Sequence, residues 1–315
     1  MGCYDGSNRA CHSCFGTILF PIEPDLARTL GESGLLFVGI TNAPTRRLIV
    51  NADDFGQSSE VNEAVVRAHV EGILTTASLM VKSPRKDEAI ALARKHPRLG
   101  VGLHLVLVAG RSALKPTEIP DLVNHHYRFP DSTLRVGLRY FFLPGLRDQL
   151  RREVYAQIQK FQATGLTLDH VNGHLQIHLH PTILKICIRA ARHFGLRHIR
   201  LTRDPALLNF QIADGQWLYR LSHALVFAVL CASASPKLKE AKIRSTDRVF
   251  GLLQNAGVDQ RYLCRLLERL PAGNSELYAH PSTNGLSHEL NALLSSKVRE
   301  IITRRQIELI RYQDI

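Results

Sequence analysis

The residues best suited to chemistry are two adjacent carboxylates, Asp53 and Asp54. They follow the apolar run Leu48-Ile49-Val50-Asn51-Ala52 and precede Phe55-Gly56. In α/β proteins the C-terminal ends of parallel strands are where side chains meet substrate. Neighbouring residues of an extended strand point to opposite faces, so the two carboxylates divide the work unless the strand breaks up there. One can hold a metal ion while the other handles a proton. The competing assignment is structural: Asp54 or Ser58 caps a helix starting near Glu60, and an acidic pair suits that helix dipole.

Two more apolar runs carry polar groups near their ends. His104 lies within Gly102-Leu103-His104-Leu105-Val106-Leu107, and His174 follows Asp169-His170-Val171-Asn172-Gly173. While the chain stays extended, Asn172, His174, Gln176, His178 and His180 share one face. A single histidine on such a face is usually a hydrogen-bonded core residue. Several of them, with carboxylates on another strand, favour a metal. A site of two histidines and one aspartate leaves positions open for water and substrate, as hydrolysis requires. The metal acidifies water and polarises a carbonyl, and a second carboxylate takes the proton. His280, before Pro281 at the end of a late strand, can supply the acid for a leaving group; its structural alternative is a turn residue.

The elements that must position these groups alternate from Arg47 onward. The pattern predicts helices over 61–69, 87–95, 150–161, 181–194, 258–270 and 289–304. Strands are predicted over 47–54, 73–81, 100–107, 166–180, 196–202 (bearing Arg200), 249–252, 276–281 and 307–312. This is an α/β chain of parallel units, closing into a barrel or winding an open sheet. No glycine-rich nucleotide motif sits in the right context. Two elaborations interrupt the alternation. Residues 109–146 read as an elaborated loop, basic and aromatic, with Arg135 and Arg139 around Tyr140-Phe141-Phe142-Leu143; residues 203–244 contain the apolar stretch 225–234. That stretch makes a helix only ~15 Å long, too short to span a bilayer.

Forty Lys plus Arg against 28 Asp plus Glu give a net charge of +12, which favours anionic surroundings such as nucleic acid, a membrane face or acidic ligands. No uncharged apolar run reaches the ~18 residues of a spanning segment, and the N-terminus is a poor secretory signal. Cys187, Cys231 and Cys264 are isolated in apolar contexts, which points to a reducing, cytoplasmic setting. Cys11-His12-Ser13-Cys14 has metal-like spacing but lacks a second pair. Residues 1–46 show no sustained periodicity and read as a disordered extension; 47–315 read as the folded domain.

Taken in order, residues 48–56, Val61-Asn62-Glu63-Ala64, Gly102-Leu103-His104-Leu105, residues 169–174 and Tyr278-Ala279-His280-Pro281 resemble the YdjC-like (ChbG) carbohydrate deacetylases. The resemblance runs from residue 47 to about 312. Residues 102–110, 178–182 and 247–252 resemble most the hopanoid-biosynthesis branch, the HpnK-type deacetylases. The family likeness implies a distorted (β/α) barrel of the glycoside hydrolase/deacetylase type. It implies one divalent metal ion, Mg²⁺ or Zn²⁺, held by Asp54, His104 and His174, with Asp53 as base and His280 as acid. Arg200 would orient Asp53, and Asn172 and His178 would lie around the ligands or the substrate. The family's His-x-His-x-His reads His174-Leu175-Gln176-Ile177-His178 here, so Gln176 replaces the middle histidine.

The implied reaction is hydrolysis of a linear amide, the N-acetyl group of an amino sugar. For the hopanoid branch the substrate is an N-acetylglucosaminyl group on a bacteriohopane polyol, with soluble chito-oligosaccharides as the alternative. Greasy segments at 133–146 and 217–234 flanking the site would favour the lipid; a narrow polar groove would favour the oligosaccharide. A basic nucleic-acid-binding protein ranks below both, because it explains the charge and not the Asp and His set. The expected partners are therefore an acetylated, lipid-linked sugar, peripheral contact with the inner membrane face and a second copy in a homodimer.

Overall fold

The computed structural model describes residues 45–315. The Cys11–Cys14 spacing and nearly all of the expected extension fall outside them. Among the described residues the strands are β1 (Arg46–Phe55), β2 (Thr76–Leu79), β3 (Gly100–Leu105), β4 (Leu168–Gly173), β5 (Arg248–Phe250), β6 (Gly273–Ala279) and β7 (Ile307–Leu309). The helices between them are α1 (Ser59–Val70), α2 (Lys86–Lys95), α3 (Thr133–Phe142), α4 (Arg147–Gln162), α5 (Pro181–Phe194), α6 (Ala206–Ile212), α7 (Trp217–Glu240), α8 (Gln260–Glu268), α9 (Ser287–Leu294) and α10 (Ser296–Arg304).

All strand pairs are parallel, in the order β4-β3-β2-β1-β6-β5, with β7 added beside the start of β1. The segment 197–203 closes the ring. Arg200 N donates to Val171 O of β4 at 3.0 Å, and Val249 N of β5 donates to Arg203 O at 3.0 Å. The architecture is a distorted parallel barrel wrapped by helices. β1 is its centre: from Leu48 to Phe55 every residue is buried. A strand covered on both faces reads as a near-continuous apolar run, and this one does so until its polar end.

Local signals explain the helix ends. Ser58 caps α1, accepting from Val61 N at 3.3 Å, so Asp54 is not the cap. Pro181 opens α5, and Gly195, in a left-handed conformation (φ 71°), closes it.

Four expectations need correction. The strand expected over 166–180 ends at Gly173, because Leu175 (φ 51°) and Gln176 (φ 57°) turn the chain into 3₁₀ geometry over His174–Leu179. The shared face from residue 172 to 180 therefore does not form. The basic, aromatic part of 109–146 contains a helix, α3, capped by Ser132. The helix expected over 289–304 is two helices that break at Ser295 (ψ 126°). The short apolar helix at 225–234 is part of α7, which runs 24 residues and is long and apolar enough to cross a membrane by length and composition alone.

Candidate active site

Asp53 and Asp54 end β1, where the strand does break up. Asp54 has φ 64°, a left-handed value that aspartate tolerates better than most residues, so both neighbouring carboxylates reach the barrel mouth. The turn beyond is pinned: Gly56 N donates to the buried Asn62 Oδ1 at 2.8 Å, and Gln57 N donates to Asp54 O at 2.9 Å. Gly56 itself has φ 94°, and a Cβ there would lie 2.8 Å from Ser83 Oγ.

Asp54 Oδ1 lies 3.2 Å from His104 Nε2 and 3.1 Å from His174 Nδ1. Ligand atoms of the three residues all fall within 4.8 Å of one another. Asn172 constrains the protons in this cluster. Its amide nitrogen donates to Asp53 Oδ1 and to Ser78 Oγ, each at 2.8 Å, so its oxygen faces His104 Nδ1 at 2.7 Å. His104 Nδ1 therefore carries a hydrogen, and in a neutral ring Nε2 then has only a lone pair to present to the Asp54 carboxylate. A lone pair aimed at a carboxylate calls for a cation between them. The residues present fit a divalent metal ion, with mixed N and O donors and an open side toward the cleft. Burial would raise the Asp54 pKa, but the neighbouring His104 and His174 imidazoles more than offset it and hold the group well below its usual range.

Asp53 sits behind this cluster in a different environment. Oδ1 accepts from Asn51 Nδ2 (2.8 Å), Asn172 Nδ2 (2.8 Å) and Arg200 Nη2 (3.0 Å), and Oδ2 accepts from Arg200 Nη1 (2.8 Å). Burial pushes its pKa up, but the Arg200 charge, then His104 and the Arg200 hydrogen bonds, bring it far below the ordinary carboxylate range. Arg200 is fully buried. Its Nε and Nη2 donate to Glu276 Oε1 at 3.0 and 2.7 Å, and it lies over the Tyr278 ring at 4.5 Å. Tyr312 Oη donates to Glu276 Oε2.

His280 follows β6 directly. Its backbone N donates to Glu289 Oε2, its ring packs edge-on to Tyr278 with centroids 5.7 Å apart, and its side chain is 31% exposed. Asp53, Asp54, His104, His174 and His280 share one cleft of about 1210 Å³. Among the described residues no Lys or Arg lines it. Much of its outer wall is apolar, with Leu134 from α3 and Val226, Phe227 and Leu230 from α7.

A family model described as YdjC-like protein matches residues 47–304. The chain belongs to the YdjC-like family. Among curated proteins, this YdjC-like chain is 40% identical over 148 residues to the carbohydrate deacetylase of Brevibacillus brevis, covering 47% of this chain and 56% of that one. It is 38% identical over 165 residues to the carbohydrate deacetylase of Geobacillus stearothermophilus, covering 51% and 63%. The matched region thus spans rather more than half of those relatives. The carbohydrate deacetylase of Thermoanaerobacter pseudethanolicus matches more broadly, at 27% over 237 residues, covering 75% and 80%. A solved structure from Enterococcus faecalis, described as a candidate cellobiose-phosphate cleavage protein, superposes with TM-score 0.67 at 21% identity, covering 86% of this chain and 98% of that one. At that identity the likeness speaks for the fold.

Of the residues singled out in this YdjC-like sequence, Asp53, Asp54, His104, His174 and His280 meet in the cleft, and Arg200 and Asn172 stand directly behind it. His178 does not reach the cleft. It is fully buried with Nε2 3.0 Å from Arg200 O, and burial followed by the Arg200 charge lowers its pKa to about 3. Gln176 lines the cleft, and its side-chain oxygen accepts from Thr202 Oγ1 at 2.8 Å. Sequence reasoning missed Asn51, Ser78, Glu276, Tyr278 and Tyr312. For the strand residues a signal existed. Asn51 and Asp53, Thr76 and Ser78, His170 and Asn172, and Glu276 and Tyr278 are each two apart, the spacing of side chains entering one barrel interior.

Proposed function

We propose that residues 47–315 form a deacetylase domain that hydrolyses the N-acetyl group of an amino sugar. In this reading Asp54, His104 and His174 hold a divalent ion, Asp53 is the base and His280 the acid. One observation carries it: two imidazole nitrogens face one oxygen of Asp54, beside a carboxylate held ionised by Arg200. The bound ion would supply Lewis acidity for the amide carbonyl and for water.

The chain's own residues do the rest. Asn172 fixes the His104 tautomer and, with Asn51 and Arg200, fixes the Asp53 carboxylate, whose Oδ2 carries a single hydrogen bond and keeps a lone pair for the proton of the attacking water. The Arg200 charge makes Asp53 a weak base, so it acts on water already made acidic. His280, set against Tyr278 at the end of β6, the strand beside β1, gives a proton to the departing amine. The apolar walls at α3 and α7 support a lipid-linked substrate, an N-acetylglucosaminyl group on a bacteriohopane polyol, over soluble chito-oligosaccharides.

The test is acetate release from an N-acetylglucosaminyl hopanoid and from di-N-acetylchitobiose, with and without EDTA. EDTA should abolish release, Zn²⁺ or another divalent ion should restore it, and Asp53→Asn should lower kcat by about 10²–10⁴ with metal content unchanged. Release from the lipid and not the sugar supports the hopanoid substrate. Release from the sugar alone removes that substrate and keeps the chemistry. Release that survives EDTA and Asp53→Asn overturns the mechanism.

A further inference from the structure

The walls of the cleft present a second surface outward. Leu218, Leu221, Leu225 and Val229 of α7 follow one another at three- and four-residue spacing, and all four side chains face solvent, Leu218 at 86% exposure. On α3, at the other side of the same cleft, Leu134 and Phe142 are 75% and 68% exposed. An apolar stripe normally turns toward the core. Here only 17% of the most apolar stretch of α7 is buried. Contiguous apolar exposure on this scale marks a contact surface.

Charge identifies the occupant. Residues 132–147 contain Arg135, Arg139 and Arg147 and no Asp or Glu, and residues 215–239 contain no Asp or Glu either. Leu, Phe and Trp on helices with basic flanks are the composition of segments that lie in the interface of an anionic bilayer. α7 does not stand upright there. Arg220 is buried, donating to Leu253 O at 3.1 Å, and Cys231, Ala234 and Leu238 pack on the core, so the helix lies along the barrel mouth. We propose that the outer faces of α3 and α7 dock the protein on an anionic lipid bilayer, with the cleft opening at the lipid surface. The inference deepens the lipid-linked reading and rests on it for its purpose, although its evidence is independent of the chemistry.

The full chain is mixed with vesicles of phosphatidylcholine alone or with about one third phosphatidylglycerol, and bound protein is measured by flotation. The expected result is binding to the anionic vesicles that weakens with salt and falls at least about ten-fold in Leu218→Glu/Leu221→Glu/Leu225→Glu. These residues do not line the cleft, so circular dichroism and acetate release from soluble substrate should match wild type. Absence of vesicle binding by wild type overturns the proposal. So does a dimer, seen by sedimentation without vesicles, that the triple variant dissociates, since a second copy would then cover the face. Vesicle binding without acetate release from any substrate keeps the docking face and removes the deacetylase reading; acetate release without vesicle binding does the reverse.

Discussion

The barrel interior and the wall above it are built on opposite principles. Below the cleft, charges are buried and answered: Arg200 is fully buried between Asp53 and Glu276, and Tyr312 closes the chain of contacts at Glu276. Along the wall, α7 is apolar and leaves most of that surface uncovered. The interior fixes geometry, because each hydrogen bond there has one alternative, an unpaired buried charge. The wall fixes only shape and polarity. A site that must hold one proton acceptor to a fraction of an ångström needs the first kind of construction, and a surface that meets a fluid partner needs the second.

Removing Arg200 tests the interior most severely. Arg200→Met leaves Asp53 and Glu276 buried without a counter-charge, and the loss expected on breaking such a pair is about 3–5 kcal/mol. Urea denaturation with EDTA present measures it free of any metal contribution. A loss under about 1 kcal/mol would mean that water reaches these carboxylates and that the contrast with the wall is false. Replacing exposed Leu221 of the wall should change stability by less than about 0.5 kcal/mol, the figure for surface sites.

Tyr312→Phe is the gentler cut. It deletes the phenol that donates to Glu276 Oε2 and keeps the ring that stacks on His170 at 4.5 Å. A hydrogen bond to a charged, fully buried group is worth about 1.5–3 kcal/mol. Glu276→Gln in the same background should recover part of that loss, and the double-mutant cycle reads the coupling. A null coupling would separate Tyr312 from the interior network.

The same contrast decides what was legible in the sequence. The parallel barrel was readable because apolar strand runs and amphipathic helices alternate with a clear period, and Asp53, Asp54 and His104 stood out as polar groups in apolar runs. His174 was legible for the wrong geometric reason: the chain turns at Leu175 and Gln176 instead of continuing as a strand. Left-handed backbone at a leucine and a glutamine leaves no compositional trace. Glu276 and Tyr312 were hidden because their partners lie 76 and 36 positions from them, Arg200 for the first at 2.7 Å and Glu276 itself for the second; only the folded barrel joins such positions. On the wall, composition gave the greasy character of α3 and α7, but not that their apolar faces turn outward.

Where the two regions meet, Asp204 gives an effect that depends on pH and has a defined sign. It follows the segment that closes the barrel and precedes α6. Its Oδ2 accepts from Leu253 N at 3.0 Å and its Oδ1 from Asn209 Nδ2, which ties α6 to the turn beneath α7. Burial is the main cause of a pKa raised from 3.8 to about 7, with the hydrogen bonds from Leu253 and Asn209 opposing it. Between those two values the folded chain binds more protons than the unfolded chain, so this group's contribution to stability falls as pH rises from about 4 to about 7. His178, lowered to about 3 by burial, pulls the other way until its unfolded value of 6.5 is passed. The readout is therefore a difference of slopes. Asp204→Asn, which cannot ionise, should hold its Tm relative to wild type better at pH 7.5 than at pH 5, by a few degrees. Parallel Tm profiles for variant and wild type would place Asp204 in contact with water, and the junction would then belong to the loosely built wall and not to the interior.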